Sequence, residues 1–116
     1  MIPDLAPSEA LRLWQRVSLG EVQAGRPDLS LRQFAILLSI YLDPPPHTVR
    51  GLAERLGVGK PVVTRALDTM GALGLLARHE DAADRRNVLI GRTVDGALFV
   101  ERFGDAIIRQ ARDIRT

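Results

Sequence analysis

Apolar residues recur at the three-to-four-residue period of an α-helix in five segments, and two short apolar runs between the fourth and fifth read as strands. The first segment, Ser8 to about Ala24, places Ala10, Leu13, Trp14 and Val17 on one side, with Ser8 as its cap. An aromatic at this spacing predicts a core or dimer contact for Trp14 ahead of a ligand-pocket wall. After the break at Pro27-Asp28-Leu29, Ser30 opens a second helix with Gln33 three residues on, the spacing of a reciprocal capping box. Phe34, Ile36, Leu37, Leu38, Ile40, Tyr41 and Leu42 make it apolar nearly all round, which predicts a buried central helix. Asp43-Pro44-Pro45-Pro46 ends it as a stiff connector.

The stretch from Thr48 to Arg92 carries the chemistry. Thr48 caps a helix over Val49 to Leu56, with Leu52, Ala53 and Leu56 on one face. Leu56-Gly57-Val58-Gly59 stops it, because glycine tolerates the left-handed backbone of a tight turn. The next helix starts near Lys60, and Pro61 suits its first turn because the missing N–H would have no helical partner there. Val63, Ala66, Leu67, Met70 and Leu73 face the core, and Pro61, Thr64, Arg65 and Asp68 form the opposite, polar face. A helix about 20 Å long with Thr64 and Arg65 at its front suits the major groove. Gly74 ends it, and Leu75 to His79 and Asn87 to Ile90 read as two strands around a loop tipped by Asp84-Arg85-Arg86. Thr93 caps a last helix with Ala97, Leu98, Val100, Phe103, Ile107, Ile108, Ala111 and Ile114 on its apolar face.

Ala53, Gly57 and Val63 stand at helix-turn-helix spacing. With Val63-Thr64-Arg65-Ala66-Leu67-Asp68, Leu73-Gly74-Leu75, Asp84-Arg85-Arg86 and Thr93-Val94-Asp95-Gly96, the chain resembles the MarR family of winged-helix transcriptional regulators over roughly residues 30 to 100. The resemblance implies a homodimer on pseudo-palindromic DNA, with recognition helices in adjacent major grooves. It also implies that Arg86 makes the minor-groove contact while Asp84 holds its side chain, and that Arg85 meets a phosphate. Two features depart from the pattern. Arg92 stands where family members usually carry leucine, and only 23 residues follow Thr93, enough for one helix where the family commonly has two.

The expected fold is therefore mainly α with a small β-hairpin: a single winged-helix domain over 1–116, with 8–24 and 94–115 as dimerisation helices and 48–92 as helix-turn-helix plus wing. The expected DNA-binding residues are Arg50, Lys60, Pro61, Thr64, Arg65, Arg85 and Arg86, with Asp84 as wing support. The dimer follows from an excess of apolar side chains. Phe99, Phe103, Ile107, Ile108 and Ile114, together with Leu13, Trp14 and Val17, exceed what one winged-helix core needs.

A net charge of +2 says little, but its distribution says more. Residues 47–92 hold eight basic side chains against five acidic ones, whereas the flanking segments are balanced or slightly acidic. Fifteen of the sixteen basic residues are arginine, which suits bidentate contacts to phosphate and guanine and also follows from a GC-rich genome. No cysteine is present, which excludes disulfides, thiolate zinc sites and thiol redox sensing. His47 and His79 lack the companions of a metal site and read as structural or solvated. Neither an activated nucleophile nor a phosphate-binding glycine loop is visible, so no enzyme, metal or cofactor is expected. No apolar run approaches the ~18 residues of a membrane span, and a cytoplasmic protein is expected. Double-stranded DNA is the expected partner, with a small-molecule effector left open. The competing classes are a DNA-binding module without effector sensing and a winged helix used for protein–protein contact, which calls for an apolar wing instead of a basic one.

Overall fold

The computed structural model describes residues 4–114. Its elements are α1 (Pro7–Gln23), α2 (Leu31–Leu42), α3 (Val49–Leu56), α4 (Lys60–Ala72), β1 (Leu76–Glu80), β2 (Val88–Arg92) and α5 (Val94–Asp113). This is the mainly helical winged helix-turn-helix that the pattern predicts. Residues 29–100 form one compact unit, and the described residues on either side of it, 4–28 with 101–114, form a second, α5 contributing to both.

In the 29–100 unit, Ile36, Leu37 and Ile40 of α2, Leu52 and Ala53 of α3, and Val63, Ala66, Leu67 and Met70 of α4 share one core with Leu75, Leu76, Ile90 and Phe99. The capping box of α2 is formed: the Gln33 amide donates to Ser30 Oγ at 3.1 Å and the Ser30 amide to Gln33 Oε1 at 2.8 Å. The Gly51 amide donates to Thr48 Oγ1 at 3.0 Å, and Gly57 takes the left-handed conformation (φ 68°, ψ 35°) that lets α4 start three residues later. The hairpin pairs Leu76 with Arg92 and Glu80 with Val88. A third backbone segment joins it, since Thr48 bridges Leu89 and the Ile90 amide donates to the His47 carbonyl at 2.9 Å. The apolar runs gave no sign of that bridge, which comes from a loop.

Several expectations need correction. The second helix is not buried all round: Leu31 and Leu42 are exposed, because the core covers only the face carrying Ile36, Leu37 and Ile40. Leu73 is exposed too, as the C-cap of α4 and not part of its core face. Phe99 belongs to the core of this unit and stacks obliquely on Phe34 with ring centroids 6.4 Å apart, so it adds nothing to an apolar surplus.

Arg92, the departure from the family pattern, has a definite role. Its Nε donates to the Ile40 carbonyl at 2.8 Å and its Nη2 to the Asp43 carbonyl at 3.1 Å, satisfying acceptors that the end of α2 leaves open. Its guanidinium also lies 5.8 Å from the centre of the Tyr41 ring. The Tyr41 hydroxyl donates to the Leu75 carbonyl at 2.8 Å and accepts from the Thr93 amide at 2.9 Å. Thr93 Oγ1 donates to the Gly74 carbonyl at 2.7 Å and accepts from the Gly96 amide at 2.9 Å, capping α5. A Cβ on Gly96 would overlap both Tyr41 Oη and the Leu75 carbonyl, so only glycine fits.

In the second unit, α1 begins one residue before Ser8: Ala6 is the cap, Pro7 is the first helical residue, and the Ala6 amide donates to Glu9 Oε1 at 3.0 Å. Val17 is buried, as are Phe103 and Ala106 of α5. Trp14 lies at the edge of the side that carries Val17, next to Leu11, and unlike Val17 it is half-exposed, while Leu11 and Val22 are exposed. Arg26 Nε is hydrogen-bonded to Glu21 Oε2.

Candidate nucleic-acid interface

The turn at Gly57 sets α4 against α3, with the buried face of α4 on the core, so its remaining face is held outward by packing and not by its own polarity. Pro61, Thr64, Arg65 and Asp68 are all exposed there, and Lys60 stands exposed in the first turn. Neither Lys60 nor Arg65 has an acidic partner among the described residues. A cation in the first turn opposes the helix dipole, so Lys60 is better placed for an external anion than for the helix.

The wing tip is a chain of tight turns. The Asp84 amide donates to the Asp81 carbonyl at 3.2 Å, the Asn87 amide to the Asp84 carbonyl at 2.9 Å, and the Ala83 amide to Asp81 Oδ1 at 2.9 Å. Asp84 Oδ1 then accepts from both the backbone amide and the Nε of Arg86, at 3.1 and 3.2 Å. One carboxylate oxygen therefore fixes the start of a side chain that is itself 91% exposed. That orients the guanidinium while leaving its terminal nitrogens to the outside. Arg85 is exposed beside it, with no ion-pair partner among the described residues.

Arg50, in the first turn of α3, is only loosely tied to Glu54 at 3.8 Å, with both side chains about three-quarters exposed. Three other arginines in this stretch are committed inside the chain. Arg55 pairs with Asp43 at 3.0 Å, Arg78 of β1 with Asp68 of α4 at 2.7 Å, and Arg92 holds the end of α2. The Asp68–Arg78 bridge fastens the hairpin to α4 and takes Asp68 out of the free polar face. Sequence spacing carried no signal for it, because the partners lie ten residues apart across a turn. Of the eight basic residues counted in 47–92, Arg50, Lys60, Arg65, Arg85 and Arg86 remain for an outside partner. No group of three or more His, Cys, Asp or Glu side chains capable of holding a metal occurs among the described residues. His47 is buried, with Nε2 3.2 Å from the Asp43 carbonyl, a structural position.

A groove of about 250 Å³ lies along one flank of α4, between Val62, Arg65, Ala66 and Thr69 on that helix and Ser30, Arg32 and Gln33 at the start of α2. The apolar pattern of α2 carries no sign of it, because the two walls come from segments about thirty residues apart.

Residues 28–87 match the model of the MarR family. The chain belongs to the MarR family. Solved structures agree with the assignment. A mutant MepR from S. aureus superposes with a TM-score of 0.74 at 23% identity, over 96% of this chain and 83% of that one. A mutant MarR from E. coli, complexed with operator DNA, gives 0.68 at 25% identity over 93% and 69%. CouR bound to a 23-mer DNA duplex gives 0.71 at 23% identity over 90% and 70%. MarR-family proteins are transcriptional regulators and not enzymes, in keeping with the inventory of the chain. No helix among the described residues is long and apolar enough to cross a membrane.

Proposed function

We propose that this MarR-family chain is a sequence-specific double-stranded DNA-binding regulator that occupies an inverted-repeat operator as a homodimer. The observation that carries the reading is the pairing of two surfaces in one unit: an outward α4 face with Thr64, Arg65 and Lys60, and a wing whose Arg86 is aimed by Asp84. In this reading Thr64 and Arg65 meet base edges, Pro61 adds apolar contact, and Arg50, Lys60 and Arg85 meet phosphates, while Arg86 enters the minor groove. A basic, polar wing does not suit an apolar protein–protein contact.

The homodimer is supported by the second unit. Leu11, Trp14 and Val22 of α1 are 71%, 49% and 72% exposed on one helical face, and Ile108 of α5 is 50% exposed. Apolar surface of that kind invites a second copy. Val17, Phe99 and Phe103, which the apolar pattern offers as dimer contacts, are buried within the chain and are not available to a second copy. Small-molecule response is the finer part of the reading. CouR from Rhodococcus jostii, one of the structural neighbours, has been solved with p-coumaroyl-CoA bound as well as on DNA.

Selection from fragmented genomic DNA, paired with sedimentation of the free protein, tests the proposal. Enrichment of an inverted repeat with half-sites about ten base pairs apart, bound by a dimer, is the expected result. Trp14→Asp with Ile108→Asp should give a monomer that keeps weak non-specific binding and loses the palindrome. A wild-type monomer at micromolar concentration that binds an isolated half-site at full strength would overturn the dimer.

A further inference from the structure

The groove beside α4 contains two guanidinium groups and no acid. Arg32 comes from the first turn of α2 and Arg65 from α4, thirty-three positions later, and neither has an ion-pair partner among the described residues. Ser30 and Gln33 are spent on the capping box, so any ligand chemistry here belongs to the two arginines. Thr69 Oγ1 donates to the Arg65 carbonyl at 3.2 Å, and Val62 and Ala66 supply an apolar floor. Two like charges lining one small groove focus a positive potential into it. Their planar forks match the oxygens of a phosphate.

Position on the helix decides which phosphate. At about 3.6 residues per turn, Val62, Arg65 and Thr69 lie along one flank of α4, while Asp68 and Gly71 lie along the other. That second flank meets the hairpin: Asp68 is bridged to Arg78, and the Cα of Gly71 faces the Leu76 side chain. Arg32 and the wing therefore stand on opposite sides of the exposed front that carries Pro61 and Arg65. A helix seated in a major groove about 12 Å wide is bordered by a phosphate backbone on each side.

We infer that Arg32, with Arg65, forms a second phosphate clamp, which grips the DNA backbone across the major groove from the wing. This rests on the DNA-binding reading above, and extends the interface to a helix that reading leaves out. Arg65 sits between the front and the flank, so it serves both a base edge and the clamp, whereas Arg32 serves the backbone alone. Its contribution is sequence-independent.

The test is the salt dependence of binding to a random-sequence duplex of roughly two helical turns, with Arg86→Ala as the control for the reading itself. Arg32→Ala should lower the slope of log K against log salt by about 0.9 per occupied clamp, with Arg32→Lys restoring most of it. The melting temperature should stay unchanged, which a structural role for Arg32 would not allow. If Arg86→Ala lowers the slope and Arg32→Ala does not, the clamp is overturned and the DNA reading stands. If the wild-type chain shows no salt-dependent duplex binding, both fall. Calorimetric titration with inorganic phosphate separates the remaining source. Saturable uptake abolished by Arg32→Ala, together with an unchanged DNA slope, would make the groove a small-anion site and overturn the clamp.

Discussion

At the junction of α2, β2 and α5, Arg92 gives its donors to the carbonyls of Ile40 and Asp43 and lies against Tyr41; on the front of α4, Arg65 has no acidic partner among the described residues. One residue type thus does two jobs within a single compact unit. At the junction, arginine replaces the apolar side chain that family members usually carry and ends a helix. On the front, it waits for an outside acceptor. A count of basic residues cannot separate these, because the difference lies in which carbonyls and carboxylates the fold brings near.

Substitutions at the junction should have the largest effects. Gly96→Ala should have the largest effect, since its Cβ would overlap Tyr41 Oη and the Leu75 carbonyl, and the backbone oxygen cannot step aside. A loss of about 3 kcal/mol is expected in urea denaturation, at the upper end for overpacking. A loss below about 1 kcal/mol would mean that the start of α5 shifts freely. Tyr41→Phe comes next. It leaves the Thr93 amide and Leu75 carbonyl without their partner, which should cost about 1–3 kcal/mol by the same measurement. Arg92→Leu removes the donors at the end of α2 and should cost about 1 kcal/mol, leaving the salt slope of DNA binding untouched.

On the front the expectations reverse. Arg65→Ala should leave stability within about 0.5 kcal/mol of wild type. It should nonetheless relax preference at one position of each half-site by roughly 1–3 kcal/mol, read by competition between operator variants. Uniform weakening over all sequences would reassign Arg65 wholly to phosphate. The smallest effect belongs to Glu54→Ala. Its bridge to Arg50 is long and exposed, so the loss should be about 0.3 kcal/mol at most.

What the chain disclosed in advance follows the range of each signal. Capping at Ser30 and Thr48, the glycine turn at Gly57 and the buried face of α4 depend on neighbours within one or two turns, and local pattern carries them. The role of Arg92 depends on carbonyls about fifty residues earlier, and the groove at Arg32 on a helix thirty residues away. Neither leaves a trace in spacing. The apolar residues of α5 divide by angular position, which is a local signal. Phe99 and Phe103 are buried, whereas Ile108, nine and five residues further on, falls on another side of the helix and is half-exposed. Asp84 and Arg86 are two residues apart, so their contact lay within reach of a motif.

The most direct test of the division between committed and available arginines is the salt dependence of duplex binding, measured side by side with thermal stability for two variants. Arg85→Ala with Arg86→Ala should lower the slope of log K against log salt by about two while leaving the melting temperature unchanged. Arg92→Ala should lower the melting temperature by several degrees, roughly the 4–8 °C that about 1 kcal/mol produces in a domain this small, and leave the slope unchanged. A slope that falls with Arg92→Ala, or one that holds when both wing arginines are removed, would contradict it.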